Sequence, residues 1–291
     1  MNPSSSQTKP FSSSNDTALI TGASSGIGRE LAREFARNGH PVVITAPVQS
    51  EIDDLARELS ADYGIPTTAI ACDLCEPEAS NHIFNKLSST GTGVGILVNN
   101  AGRGQRGNFC EIPIERDIEM IRLNIEAVVR LTNLFLPPML ARGHGRILNT
   151  ASIAGFEPGP LMAIYHATKA FVLSLSESLA TELKDTGVTV TALCPGPVDT
   201  DFFPKADMID TNVFQKGNVM APQEVAQAGY KAAMAGERVI VPGGVNKAMV
   251  FARRLMSESA QAKLNQTYYK RPDSPRRRER GDVEKAEQHT S

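Results

Sequence analysis

The stretch YHATK at residues 165–169 sets a phenol, Tyr165, four residues ahead of an ammonium, Lys169. On a helix that spacing puts both side chains on one face, about one turn apart. A phenol with its ordinary pKa of about 10 is a poor proton donor near neutrality. An ammonium close by favours the phenolate and makes the phenol a better acid. The pair reads either as half of an acid–base device or as one face of an ordinary amphipathic helix. YxxxK alone does not choose between them.

A second stretch, TGASSGIG at residues 21–28, carries Gly22, Gly26 and Gly28. Glycines at this spacing permit a tight turn and let backbone N–H groups approach a pyrophosphate. The turn follows the apolar run ALIT and opens the helical pattern GRELAREFARNG, so a helix N-terminus adds its positive dipole end. A strand, this turn and a helix in a βαβ unit form the context that dinucleotide binding requires. The alternative is a turn that is merely tight.

Short runs rich in Val, Ile and Leu recur at 18–21, 41–45, 67–71, 96–99, 146–150, 189–194 and 238–242, with helical patterns between them. Strands buried on both faces that alternate with helices imply an α/β fold. The expectation is a Rossmann-type, doubly wound, seven-stranded parallel sheet in a single domain over residues 16–265. The Ser-rich residues 1–15 and the polar residues 266–291 are expected to be disordered tails. Residues 245–264 are expected to form one amphipathic helix that packs on the core or across a subunit interface.

The chain has 291 residues, 41% apolar and 21% charged, with a net charge of −2. That balance gives no reason to expect a nucleic-acid partner. No apolar run is long enough to span a bilayer, so stable membrane insertion is not expected. Cys72 and Cys75 form a lone CxxC without a second ligand pair, and no metal site is expected. Free cysteines fit a reducing compartment, and a cytoplasmic location is expected.

TGASSGIG, NNAG at 99–102, Ser152, YHATK and PGPVDT at 195–200, in that order, resemble the short-chain dehydrogenase/reductases over about residues 16–245. The later part looks most like bacterial NADP-dependent oxidoreductases of that family. The resemblance implies a catalytic tetrad. Tyr165 would protonate a carbonyl oxygen as hydride arrives at carbon, or remove a hydroxyl proton in reverse. Lys169 would favour the phenolate and bond the nicotinamide ribose. Ser152, thirteen residues before the tyrosine, would bond the substrate oxygen. Asn124 would hold a water linking Lys169 to solvent. A lone strand-end Ser or helical Asn is more often a cap or a surface residue, and only the ordered set favours catalysis.

The resemblance also assigns cofactor contacts. Ser24, Ser25 and Ile27 join the three glycines at the pyrophosphate. Asp73 and Leu74 meet the adenine, and Asn100, Ala101 and Gly102 the adenosine ribose side. Pro195, Gly196 and Val198 approach the nicotinamide, and Thr200 its carboxamide or the phosphate. The end of the second strand carries Ala46 where an NAD enzyme usually places an acid for the ribose 2′-OH, so NADP is the favoured cofactor and NAD remains open. Many NADP members carry Arg next. Here Pro47 stands there, leaving Ser24, Ser25, Arg29, Thr45, Gln49 and Ser50 as polar candidates.

Three loops, 103–109, 154–164 and 200–220, would shape the substrate side. Phe156, Leu161, Met162, Phe202 and Phe203 point to a largely apolar pocket, and the long third loop to a mobile lid. Arg103 and Arg106 would either capture a carboxylate or phosphate of the substrate or stand as exposed loop arginines. The expected activity is reversible interconversion of an apolar ketone or aldehyde with its alcohol, using NADPH, in a homodimer or homotetramer. An NAD-dependent alcohol dehydrogenase is a second reading. A regulatory protein that keeps fold and cofactor without turnover is a third, which the complete tetrad disfavours.

Overall fold

A computed structural model of the chain describes residues 16–253, 255–272 and 278–283. The expected N-terminal tail, residues 1–15, lies outside the described residues. The apolar runs become β1 (Thr17–Thr21), β2 (Val42–Ala46), β3 (Thr67–Ala71), β4 (Val94–Asn99), β5 (Gly145–Thr150), β6 (Val188–Leu193) and β7 (Val239–Ile240). They form one parallel sheet in the order β3-β2-β1-β4-β5-β6-β7.

The strands alternate between two dry layers, as a period of two requires. Ala18, Ile20, Ile44, Ile96 and Val98 pack with Leu31 and Phe35 of α1 (Gly26–Arg37), Ile52 of α2 (Gln49–Tyr63) and Val225 of α9 (Pro222–Ala235). Leu19, Val43 and Leu97 face the other way, onto Ile83 of α3 (Ala79–Ser89) and Leu131 and Phe135 of α5 (Ala127–Arg142). Each fully buried Leu, Ile, Val or Phe among them contributes about 2 kcal/mol. The strand order reverses between β1 and β4, which opens a crevice beyond their C-terminal ends. Register there is direct, Ile20 standing beside Val98.

The stretch from 114 to 142 is three pieces. α4 (Ile114–Ile121) runs into a π-helical turn (Arg122–Glu126), and α5 follows without a break. A π turn holds one residue more than the α spacing allows, and such turns are frequent at functional sites. α6 (Ala163–Glu182) carries YHATK near its start.

The C-terminal region departs from the sequence expectation twice. The single helix expected over 245–264 is two, α10 (Gly244–Arg253) and α11 (Glu258–Tyr268), because the Ser257 hydroxyl caps the second by accepting from Ala260 N. Disorder from residue 266 is also overturned for the described part. α11 runs through Tyr268, Tyr269 is buried, and residues 278–283 are bonded to the body. Long-range polar contacts, which composition does not reveal, hold them. Residues 273–277 and 284–291 lie outside the described residues. α7 (Phe202–Lys205) and α8 (Asn212–Gln215) form inside the third expected loop, and their Phe203 and Phe214 pack with Tyr269.

Candidate active site

The crevice holds a cavity of about 750 Å³. Its glycine end is made by contact distances. Gly22 has φ of 66°, and a Cβ there would lie 2.8 Å from Ala101 Cα. Gly26 has φ of 56°, and its Cβ would lie 2.9 Å from Thr200. A Cβ on Gly28 would stand 2.2 Å from Gly22 O and 2.4 Å from Asn100 Nδ2. A side chain at any of the three would fill the turn or push it open. Thr21 Oγ1 accepts from the N–H groups of Asn100 and Ala101, both at 3.0 Å, and so ties the end of β1 to the end of β4. Asn100 Nδ2 answers by donating to Thr21 O at 3.0 Å. At the N-terminus of α1 Ser25 makes no side-chain cap and the first turn has no acid. Its positive end is thus left to an anion, and a pyrophosphate fits this cradle.

Ser24, Ser25, Ile27, Asp73, Leu74, Gly102, Pro195, Gly196, Val198 and Thr200 line the same cavity. Gly196 is also a packing glycine, since a Cβ would meet the Asn246 side chain at 2.6 Å. Thr45, Ala46 and Pro47, at the end of β2, line the cavity too, together with Cys72, which was not among the expected contacts. Arg29 does not reach it. Its guanidinium pairs with Glu58 at 3.1 Å, and Gln49 bonds Asp53 at 2.7 Å.

Three of the four expected catalytic side chains meet in the middle of the cavity. Tyr165 is pushed up to about 12 by burial, while a hydrogen bond from Ser152 works against this. Lys169 is pulled down to about 8, again by burial, and its Nζ donates to Thr150 O at 2.7 Å. The ammonium stands 5.8 Å from the Tyr165 ring centroid. The spacing of the pair points to the lysine as the chief influence on the phenol; in the structure burial comes first and the Ser152 bond opposes it. Ser152 caps the 3₁₀ turn Ile153–Phe156 by accepting from Ala154 N at 3.1 Å, so it is a cap that also lines the cavity.

Asn124 stands behind the cavity wall, wholly buried in the π turn. Its Oδ1 accepts from Arg103 N at 3.0 Å, and its Nδ2 donates to Arg103 O at 2.9 Å and to Thr168 Oγ1 at 3.0 Å. It faces Lys169 across Gly102. A Cβ on Gly102 would lie 3.3 Å from Asn124 Oδ1 and 3.5 Å from Lys169 Nζ. Beneath the site, Asn99 Nδ2 donates to Asn149 Oδ1 at 2.9 Å, and Asn149 Nδ2 to Ser176 Oγ at 2.9 Å, which fixes β4, β5 and α6 to one another.

Of the apolar residues expected to face a substrate, Met162, Phe202 and Phe203 line the cavity, Leu161 packs on the same cluster without lining it, and Phe156 packs elsewhere. Of the two arginines, Arg103 lines the cavity and Arg106 does not. Arg103 pairs with Glu119 at 2.7 Å, and Arg106 Nε donates to Tyr269 O at 2.8 Å. Arg106 is thus a largely buried strut, whereas Arg103 is half-buried at the cavity wall and held by a half-exposed acid. The far wall comes from residues that the sequence reading did not single out. Tyr268, Tyr269, Asn265 and Met249 line it, with the buried ion pair of Arg253 and Glu157. His166 links this wall to the catalytic helix: its Nδ1 bonds Glu157 O at 2.8 Å and its Nε2 bonds Tyr269 Oη at 2.7 Å. A carbonyl can only accept, so Nδ1 carries the proton and Tyr269 donates to Nε2. Burial holds His166 down to about 4, which keeps the ring neutral. No local signal in the sequence marks the contact of His166 with Tyr269, which spans 103 residues.

The chain belongs to the short-chain dehydrogenase family, whose model, described as short chain dehydrogenase, matches residues 16–208. Among curated relatives, a very-long-chain 3-oxoacyl-CoA reductase of Phaeosphaeria nodorum is 39% identical over 177 residues, 60% of this chain and 52% of that protein. An uncharacterised oxidoreductase of Bacillus subtilis is 38% identical over 183 residues, 63% of this chain and 68% of that protein. The matches thus span about half to two thirds of these relatives' length. Among solved structures, a short-chain dehydrogenase from Sphingobium yanoikuyae in complex with NADPH superposes with a TM-score of 0.75 at 33% identity, covering 89% of this chain and 98% of that one. The bulky-bulky ketone specific alcohol dehydrogenase from Comamonas testosteroni gives a TM-score of 0.69 at 31% identity, covering 86% and 98%.

Proposed function

We propose that the protein is an NADP-dependent oxidoreductase that interconverts an apolar ketone or aldehyde with its alcohol. The observation that carries this reading is the continuity of one cavity from the glycine cradle to the Ser152–Tyr165–Lys169 cluster. NADPH, when bound, supplies the hydride. The chain's residues do the rest. Gly22, Ser24, Ser25, Gly26, Ile27 and Gly28 bind the pyrophosphate, with Asp73, Leu74 and Asn100 to Gly102 along the adenosine. Pro195, Gly196, Val198 and Thr200 hold the nicotinamide end. Ser152 Oγ orients the substrate oxygen. Tyr165, protonated because burial raises it, gives its proton to that oxygen. Lys169 and Asn124, on either side of Gly102, replace the proton from solvent. Met162, Phe202 and Phe203 receive an apolar body.

NADP is favoured over NAD because Ala46 and Pro47 leave no carboxylate to repel a 2′-phosphate. The NADPH-bound Sphingobium relative supports the same choice. The exposed apolar side chains Ile118, Val129 and Phe171, on α4, α5 and α6, support a homodimer or homotetramer. Unpaired thiols support a cytoplasmic location. Among the described residues no helix is long and apolar enough to cross a membrane.

The deciding experiment is a titration with NADPH and NADH followed by nicotinamide fluorescence, then turnover of an apolar ketone panel. Tighter NADPH binding with ketone reduction is the expected result. Preference for NADH with alcohol oxidation points to the second reading, and binding of neither cofactor sinks the proposal.

A further inference from the structure

Residues 278–283 make a set of contacts that the reading above does not use. Arg278 and Gln215 exchange two bonds: Arg278 N donates to Gln215 Oε1 at 2.9 Å, and Gln215 Nε2 donates to Arg278 O at 2.8 Å. Arg278 Nη1 donates to Phe214 O at 2.7 Å and to Gly217 O at 3.2 Å, with its guanidinium 5.9 Å from the Phe214 ring centroid. A few residues on, Gly281 N donates to Asp199 Oδ1 at 2.9 Å and Val283 N to Asp199 Oδ2 at 3.0 Å. Arg280 pairs with Asp199 at 3.5 Å and with Asp201 at 3.2 Å. The segment is also tied to itself, since Glu279 N donates to Asp282 Oδ2 at 2.7 Å.

Asp199 is 0% exposed. A carboxylate removed from water is expensive unless donors replace the lost solvent. Here the donors come from residues 280–283, more than eighty positions along the chain. Asp199 stands between Val198 and Thr200, which line the cofactor end of the cavity. Phe214 and Gln215 lie between Val213 and Lys216, which line its outer part. One short segment therefore grips both ends of the stretch that covers the cavity.

We infer that residues 278–283 are a clasp that holds the 199–217 stretch over the cavity, with Asp199 as a positioning residue acting through Val198 and Thr200. What the clasp retains, a nicotinamide dinucleotide, rests on the function proposed above; that it retains the stretch does not. Release of bound dinucleotide is then slowed by a part of the chain that never touches it.

Gly281 offers a selective test. Its φ is 89°, in the region glycine favours, and its N–H is one of the two backbone donors to Asp199. Gly281→Pro removes both properties in the full chain, far from the sheet. Arg278→Met removes the donors to Phe214 O and Gly217 O and keeps an apolar stem. Gly281→Asn keeps the N–H and tolerates positive φ, so it should rescue. Two quantities are measured: hydrogen exchange of the 199–217 amides without cofactor, and the NADPH dissociation rate by stopped-flow fluorescence. The expectation is that exchange there and NADPH release each rise about tenfold in Gly281→Pro and Arg278→Met, the size of one lost charge-assisted bond. Exchange in β1, β4 and β5 should not change, and Gly281→Asn should stay near the parent. Unchanged exchange at 199–217 in both variants overturns the clasp, as does an equal rise across the sheet. If the parent chain binds no NADPH, the oxidoreductase reading fails, and the exchange data alone still decide the clasp.

Discussion

At the glycine end of the cavity, shape comes from backbone atoms. Gly28 rests against Gly22 O, and the Thr21 hydroxyl joins two strand ends. At the other end, shape comes from side chains that reach across the chain, with His166 on Tyr269, Arg106 on Tyr269 O and Arg253 on Glu157. The first kind of wall has little freedom, because a backbone contact cannot move without the strand that carries it. The second can be rebuilt by changing single side chains. A frame built this way keeps its cofactor site while its substrate site varies, so fold alone does not name the substrate.

The largest expected effect falls where the two ends meet. Tyr165→Phe should lower ketone turnover by about 10²- to 10⁴-fold while NADPH still binds, read from single-turnover NADPH oxidation. Full turnover in this variant would remove the central claim. In the parent chain, reduction should weaken as pH rises through about 8, where buried Lys169 loses its proton.

The next effect probes the backbone wall. Gly28→Ala places a Cβ 2.2 Å from Gly22 O, and a shift of that turn should cost about 1–3 kcal/mol, seen together as a lower Tm and weaker NADPH binding. If only NADPH binding moved, the rigidity attributed to this end would be wrong.

The side-chain wall should respond to acid. His166 has a native pKa of about 4 against an ordinary 6.5 because it is buried. Between those values the unfolded chain binds a proton that the native chain does not, so stability falls as pH drops through that window. The loss should approach about 3 kcal/mol at the acid end, and His166→Gln should flatten it in urea titrations at pH 7 and pH 5. An equal loss in the variant would place the acid sensitivity elsewhere.

The smallest effect sharpens the role of the arginines. Arg106→Ala should raise KM for acidic and neutral ketones by the same factor, because its guanidinium holds Tyr269 O and Asp207. A selective loss for acidic ketones would return it to the substrate.

The same contrast explains what could be read from the sequence. The strands and the glycine turn were legible because period-two runs, a glycine spacing and a following helix are local patterns. Tyr165 and Lys169 were legible as a pair one helical turn apart. The clasp, the split of α10 from α11 and the far wall were not, because polar contacts between distant segments leave no periodic trace. Disorder was expected from residue 266 on composition, yet Arg278 and Arg280 are spent on internal partners. The desolvation of Tyr165 was missed for a related reason: burial is set by packing, and the charge of a neighbour is all that spacing shows.

The π turn at Arg122–Glu126 has one more consequence. An extra residue advances the helix by about 100°, so the stripe that α4 turns inward is out of phase with the stripe of α5. Read as one uninterrupted helix, the stretch loses its periodic signal partway along. Deleting a single residue there would let regular α winding resume from α4 into α5 with both ends still facing as they do, and would remove the wide turn in which Asn124 sits. The irregular turn thus acts as a phase setting for the helix it interrupts, and Asn124 stands at the point where that setting is made.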